Sequence, residues 1–190
     1  DRMVAFALDC FGGIDVLFNV AGSNLPRDVE EIEDDEWTGL LDLNLTSVFR
    51  CSKRVIPHMR KRGGGSIVNV SSIAGLMAEG RCSAYTASKA GVVMLTRNMA
   101  MDFARDNIRV NSVCPGSTMT PRIQGYREKA GFGPNDNLPA CPMARYASPR
   151  EIALPAIFLA SDEASYITGA ALPVDGGFTA GFRIPSLEQR

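Results

Sequence analysis

Gly63-Gly64-Gly65-Ser66-Ile67-Val68-Asn69-Val70-Ser71-Ser72 decides how this chain is read. Three glycines make a turn, because glycine alone takes positive φ without steric cost. Residues 66–70 follow as an apolar run of strand length, and Ile67, Val68 and Val70 are β-branched. Ser72 then stands just past the strand's carboxyl end, where ligand-facing residues gather in open α/β sheets.

Three more runs read the same way. Asp15-Val16-Leu17-Phe18-Asn19 follows the turn at Gly12-Gly13. Ile108 to Val113 is rich in β-branched residues, and Ala170 to Val174 closes on Asp175-Gly176-Gly177. Longer helical patterns alternate with these strands, over about Asp35 to Arg60, Ala84 to Arg105 and Pro149 to Ala160. That alternation predicts an α/β layer fold. In the second helix Val92, Leu95, Met99 and Phe103 recur at steps of three or four and form a core face. Ala87 and Gly91, small and four apart, leave room for another backbone.

The first long helix is acidic at its start (Glu30, Glu31, Glu33, Asp34, Asp35, Glu36) and basic at its end (Arg60, Lys61, Arg62). This polarity suits the helix dipole, and we read it as capping, not as a metal or nucleic-acid site. Pro57 is expected to kink or end that helix. Residues 121–146 show weak periodicity and contain Gly125, Gly131, Gly133, Pro134 and Pro139. They are expected to form a long loop with one short helix; such loops are usually functional.

Composition narrows the classes. The 190 residues form one domain, 1–190, and the net charge of −1 gives no general pull toward nucleic acid or anionic membrane. Cys10, Cys51, Cys82, Cys114 and Cys141 are odd in number and widely spaced, and His58 is the single histidine. That argues against a zinc site and against a disulfide framework, and for a reducing, cytoplasmic location. Ile152 to Ala160 is apolar but short and broken by Pro155, so no membrane span is expected.

Tyr85-Thr86-Ala87-Ser88-Lys89 places a phenol and an ammonium on one helix face. By composition such a pair arises by chance in roughly one chain in ten. Its neighbours give it weight. Ser72 lies thirteen residues earlier, Asn44 is a polar residue inside an apolar helix segment, and Asn19-Val20-Ala21-Gly22 and Val113-Cys114-Pro115-Gly116 lead out of two strands as small-residue loops.

Together with Thr120, with Ala160-Ser161-Asp162, and with Ile167-Thr168-Gly169 through Asp175-Gly176-Gly177, these motifs resemble the classical short-chain dehydrogenase/reductase family over almost the whole chain. The resemblance implies a Rossmann-like doubly wound parallel sheet and an NAD(P)-dependent oxidoreductase interconverting a secondary alcohol and a ketone. It implies NAD or NADP as cofactor and a catalytic set Asn44, Ser72, Tyr85 and Lys89. Tyr85 would act as general acid/base, Ser72 would polarise the substrate oxygen, Lys89 would hold the nicotinamide ribose, and Asn44 would position a water leading to Lys89. Cofactor contacts are expected from Asn19, Ala21, Gly22, Tyr85, Lys89, Pro115, Gly116, Thr118 and Thr120. Arg81 and Cys82, just before Tyr85, are candidate substrate contacts with Ser72 and Tyr85, although Arg81 reads equally well as a surface arginine. Arg122 and Tyr126 are equally ambiguous, and the cysteines read better as small buried residues than as nucleophiles. Trp37 is expected to anchor the acidic helix to the sheet. The family implies a homodimer or homotetramer. A free phenol titrates near 10, so reaching about 7 requires roughly 4 kcal/mol of differential stabilisation, and one adjacent cation moves a group by about 1–3 pH units.

The family's N-terminal glycine-rich turn has no counterpart between Asp1 and Arg190. Gly63-Gly64-Gly65 precedes a strand, and Gly131-Phe132-Gly133 lacks a third glycine. Asp1 to Phe11 reads as the helix before the family's fourth strand. The first three strands are thus expected to be absent, together with the residue that selects NAD or NADP, and Val16 to Phe18 is expected to be an open sheet edge. An alternative reading is a truncated, catalytically silent member acting only as an oligomerising or binding module.

Overall fold

The computed structural model describes residues 1–132 and 141–181. Gly133, Pro134 and Pro139 of the expected loop lie outside the described residues. The elements run α1 (Arg2–Phe11), β1 (Val16–Asn19), α2 (Asp34–Leu41), α3 (Ser47–Arg62), β2 (Gly65–Val70), α4 (Ser83–Phe103), β3 (Ile108–Pro115), α5 (Pro121–Lys129), α6 (Pro149–Ala160) and β4 (Ala171–Val174).

All four strands pair in parallel, in the order β1-β2-β3-β4. Leu17, Ile67 and Val110 lie in one row across the sheet and face α1, α3 and α4 through Val4, Val55, Ile56, Met59 and Met99. Val68 and Val113 face the opposite way, onto Ala156 and Leu159 of α6. Helices on both faces explain why β2 and β3 are buried along most of their length, the polar Ser66, Asn69, Asn111 and Ser112 included. Arg109 ties α6 to the sheet by donating to the carbonyls of Leu159 at 2.7 Å and Ser161 at 2.8 Å. There a cation also meets the negative end of the helix dipole. Val16 and Phe18 of β1 remain 40% and 42% exposed, so this strand is an open edge among the described residues.

Local differences from the sequence expectations have physical causes. The long helix is two α-helices joined by a π turn, Asp42–Thr46, in which the Ser47 amide reaches back five residues to the Asp42 carbonyl. Pro57 does not end α3, which continues to Arg62 and stops at Gly63 with φ 88°. The acidic start behaves as expected, with capping boxes at Asp28/Glu31 and Glu33/Glu36. α4 tightens into a 3₁₀ turn at Ala104–Asp106, and β3 runs two residues further than expected because Cys114 and Pro115 pair with β4. The gap at Gly91 is filled within the chain: a Cβ there would meet the Leu45 side chain at 2.8 Å. Trp37 is 37% exposed on α2, a helix that packs on α4 and not on the sheet.

The 3₁₀ turn Ile73–Gly75 fixes the strand end that carries Ser72. A Cβ on Gly75 would stand 2.7 Å from the Lys89 carbonyl oxygen and 2.6 Å from Ser71 Oγ. Gly75→Ala is therefore expected to lift this turn off α4 and to destabilise the chain by about 2 kcal/mol, within the range for overpacking. Urea midpoints of the two proteins measure it; an unchanged midpoint refutes so tight a contact.

Candidate active site

A cavity of about 1060 Å³ opens at the carboxyl ends of β1, β2 and β3, the general ligand position of open α/β sheets. Its lining brings together Gly22, Ser72, Tyr85, Lys89, Pro115, Gly116, Thr118 and Thr120, from separate stretches of sequence. The lining also includes the apolar Met77, Ile123, Ile152, Ile157 and Phe178.

Ser72 caps the 3₁₀ turn, its Oγ accepting from the Ala74 amide at 3.1 Å. That contact occupies a lone pair and leaves the O–H to donate toward the Tyr85 oxygen in the cavity. Tyr85, in the first turn of α4, faces Ser72. Burial pushes the phenol above its ordinary value. Ser72's hydrogen-bonding and the Arg122 charge oppose this; the nearby Glu79 and Cys82 reinforce it. Lys89 does not bring the phenol down here, since burial outweighs the opposing influences. The Lys89 Nζ stands 5.8 Å from the centroid of the Tyr85 ring and donates to the Val70 carbonyl at 2.9 Å. Burial brings Lys89 itself down to about 8, so the cation beside the phenol is weakened by the same desolvation.

Asn44 is completely buried in the π turn. Its Nδ2 donates to the Ser23 carbonyl at 2.9 Å and to Ser88 Oγ at 3.0 Å, and its Oδ1 accepts from the Ser23 amide at 2.9 Å. The π turn thus carries a two-way clamp on the loop after β1, and Ser88 completes it. A Cβ on Gly22 would stand 3.1 Å from both Asn44 Oδ1 and Lys89 Nζ, so the absence of a side chain there keeps the two polar groups at the cavity floor. Gly116 is bare for a similar reason, with Asp175 Cα 2.9 Å from where its Cβ would be.

Some expected residues are placed elsewhere. Asn19 turns away from the cavity, its Nδ2 donating to Asn69 Oδ1 at 2.8 Å; Asn69 in turn donates to Thr96 Oγ1 at 2.9 Å. Ala21 is exposed and outside the cavity lining. Arg81 pairs with Asp28 at 2.9 Å and Glu31 at 3.2 Å, and with Cys82 it borders a second, smaller cavity. Cys82 is buried, and burial pushes its thiol up, as it does that of Cys114; neither is activated as a nucleophile. Thr118 closes a turn on the Gly116 carbonyl at 3.1 Å, and Thr120 caps α5 through the Ile123 amide at 3.3 Å. Tyr126 is 61% exposed and outside the cavity lining, whereas Arg122 is in it. Sequence reasoning does not single out Ser23, Ser88 or Glu79. Only Ser88, inside the Tyr85–Lys89 stretch, carries a positional signal. Among the described residues no group of three His, Cys, Asp or Glu could hold a metal, and no helix is long and apolar enough to cross a membrane.

Known proteins share this arrangement of sequence and fold. A family profile described as enoyl-(acyl carrier protein) reductase matches residues 1–179. The chain is 47% identical over 178 residues to trans-4-hydroxycyclohexanecarboxylate dehydrogenase of Sinomonas cyclohexanicum, covering 94% of this chain and 65% of that relative. It is 41% identical over 167 residues to a 3-oxoacyl-acyl-carrier-protein reductase of Thermotoga maritima, covering 88% and 67%. A solved short-chain dehydrogenase/reductase from Burkholderia xenovorans superposes with a TM-score of 0.87 at 36% identity, over 96% of this chain and 70% of that one. The chain thus spans about two thirds of the length of the curated relatives it matches.

Proposed function

The chain belongs to the short-chain dehydrogenase/reductase family, and from that premise we propose that it interconverts a secondary alcohol and a ketone with NAD or NADP, Tyr85 moving the proton. The observation that carries this reading is the convergence of Ser72, Tyr85 and Lys89 on one cavity at the strand ends. The cavity fits the nicotinamide end of such a cofactor, because Gly22 and Gly116 leave backbone bare where a side chain would crowd Lys89, Asn44 or Asp175. Lys89 and Tyr85, with the loops at Gly22 and at Pro115–Thr118, would hold it. When bound, the dinucleotide supplies or accepts the hydride.

The remaining work belongs to side chains of this chain. Ser72 turns its O–H from the Tyr85 oxygen to the substrate oxygen and polarises it. Tyr85 gives its proton to the same oxygen in reduction and takes it back in oxidation. A phenol held above its ordinary pKa is protonated at neutral pH, which suits the donor role. Lys89 stands below Tyr85 with two further N–H donors available for a sugar hydroxyl. Asn44 positions the Gly22–Ser23 loop against Lys89 through its three hydrogen bonds. The relative at 47% identity is named for a hydroxycyclohexane carboxylate, which makes hydroxy acids the first substrates to offer.

Titration with NADH and with NADPH, followed by nicotinamide fluorescence, tests the reading. Saturable enhancement with at least one of them is expected. Absence of binding to both at millimolar concentration removes the proposal.

A further inference from the structure

Two opposite charges face the Tyr85 phenol from the cavity lining: Glu79 favours its neutral form and Arg122 its ionised form. Arg122 lies in the first turn of α5, and its hydrogen bond to Ser23 is long, Nη1 donating to Oγ at 3.4 Å. Several other arginines are satisfied by acids, as Arg27 is by Glu36, Arg60 by Asp106 and Arg81 by Asp28 and Glu31. No carboxylate pairs with Arg122 among the described residues. A guanidinium is rigid, forked and always charged, and it matches a carboxylate with two parallel hydrogen bonds. The lining shared by Arg122 and Tyr85 includes the apolar Met77 and Ile123, so a ring or short chain can fill the space.

We propose that Arg122 is the specificity-determining residue of this cavity, binding the carboxylate of a hydroxy or keto acid whose reacting carbon lies at Tyr85. This deepens the function proposed above and rests on it. Glu79 repels the same carboxylate, so the two charges together select one orientation of the acid: carboxylate toward α5, alcohol or ketone carbon toward Ser72 and Tyr85. Lys89 does not compete for the acid, because its Nζ is held at the floor by the Val70 carbonyl beside Gly22.

Binding of cyclohexanecarboxylate and of neutral cyclohexanecarboxamide, titrated by ligand-observed NMR, tests the assignment without requiring turnover. Wild type is expected to bind the acid about tenfold more tightly than the amide, since a forked pair at a cavity mouth lies between the exposed and the buried limits. Arg122→Met is expected to erase that preference while leaving the amide affinity as it was, and Arg122→Lys to recover part of it. Equal affinities in wild type, no binding of either probe, or a preference that survives Arg122→Met overturns the proposal. A loss of NADH or NADPH affinity in Arg122→Met with the acid preference intact places the guanidinium on the dinucleotide and overturns it too. Failure of the underlying reading shows separately, as turnover that survives removal of the Tyr85 hydroxyl.

Discussion

Tyr85→Phe is expected to lower turnover by about 10³-fold while leaving dinucleotide affinity within about twofold, since positioned acid–base groups contribute on the order of 10²–10⁴. The substitution deletes one oxygen and little else. The ring stays against the Lys89 ammonium, and the Ser72 hydroxyl keeps its bond from the Ala74 amide. Because burial holds the phenol neutral at neutral pH, the change removes no charge there, and the electrostatics felt by a bound cofactor are unaltered. The same raised pKa sets the pH profile of the wild type. Ketone reduction stays level through neutral pH and declines in alkali as the phenol loses its proton, while alcohol oxidation gains over that range. Steady-state kinetics in both directions, with a fluorescence titration of the variant, measure all of this. Residual turnover within tenfold of wild type would sink the assignment of Tyr85.

Lys89→Met is expected to do two opposite things: stabilise the fold by about 2 kcal/mol at pH 7 and lower turnover at least a hundredfold. The folded lysine titrates at about 8, against an ordinary value of 10.5 for an unfolded chain. Between those values the unfolded chain holds a proton that the folded chain has released, so stability rises with pH through this window. Below pH 8 both states are protonated and the full penalty stands, about 3 kcal/mol at 1.36 kcal/mol per pH unit. Methionine removes the penalty but strands the Val70 carbonyl, which returns part of the gain. Above about pH 10.5 the amine is neutral when folded and unfolded, and the stabilisation is expected to vanish. Denaturant melts of both proteins at pH 7 and pH 10.5 give the comparison. A Lys89→Met protein less stable than wild type at pH 7 would show that the buried ammonium is a net support.

Strands and helices are legible in the sequence because strands buried on both faces are rich in β-branched apolar residues, interrupted at a few buried polar positions such as Asn69 and Asn111, and amphipathic helices leave a 3.6-residue period. The α/β layering and α6 follow from that alone, while the parallel order of the strands is what the family resemblance implies. Asn19 is one of the residues the sequence reading misplaces, although the strand period holds the answer: Leu17 packs into the core under α3, so Asn19, two residues on, points the same way, while Phe18 and Val20 face the cavity. The π turn leaves no periodic trace; its only sign is a polar Asn44 among leucines. The direction of the Tyr85 shift cannot be read from spacing, because i and i+4 neighbours fix distance along a helix and say nothing of desolvation, which here outweighs the charge. Arg81 shows the same limit. It stands close to Tyr85 in sequence yet turns to Asp28 and Glu31, whereas Arg122, thirty-seven positions away, reaches the cavity.

Since Ser47 reaches back five residues to Asp42, the path from Asp34 to Arg62 carries one residue more than an unbroken α-spiral of equal rise. Smoothing that surplus away would turn the segment before it by about 100° relative to the segment after it. The apolar stripes of the two halves would then lose their common heading, and the amide that grips Ser23 would swing off its partner. Geometric imperfection in this stretch is thus what synchronises a helix with a loop it never adjoins in sequence.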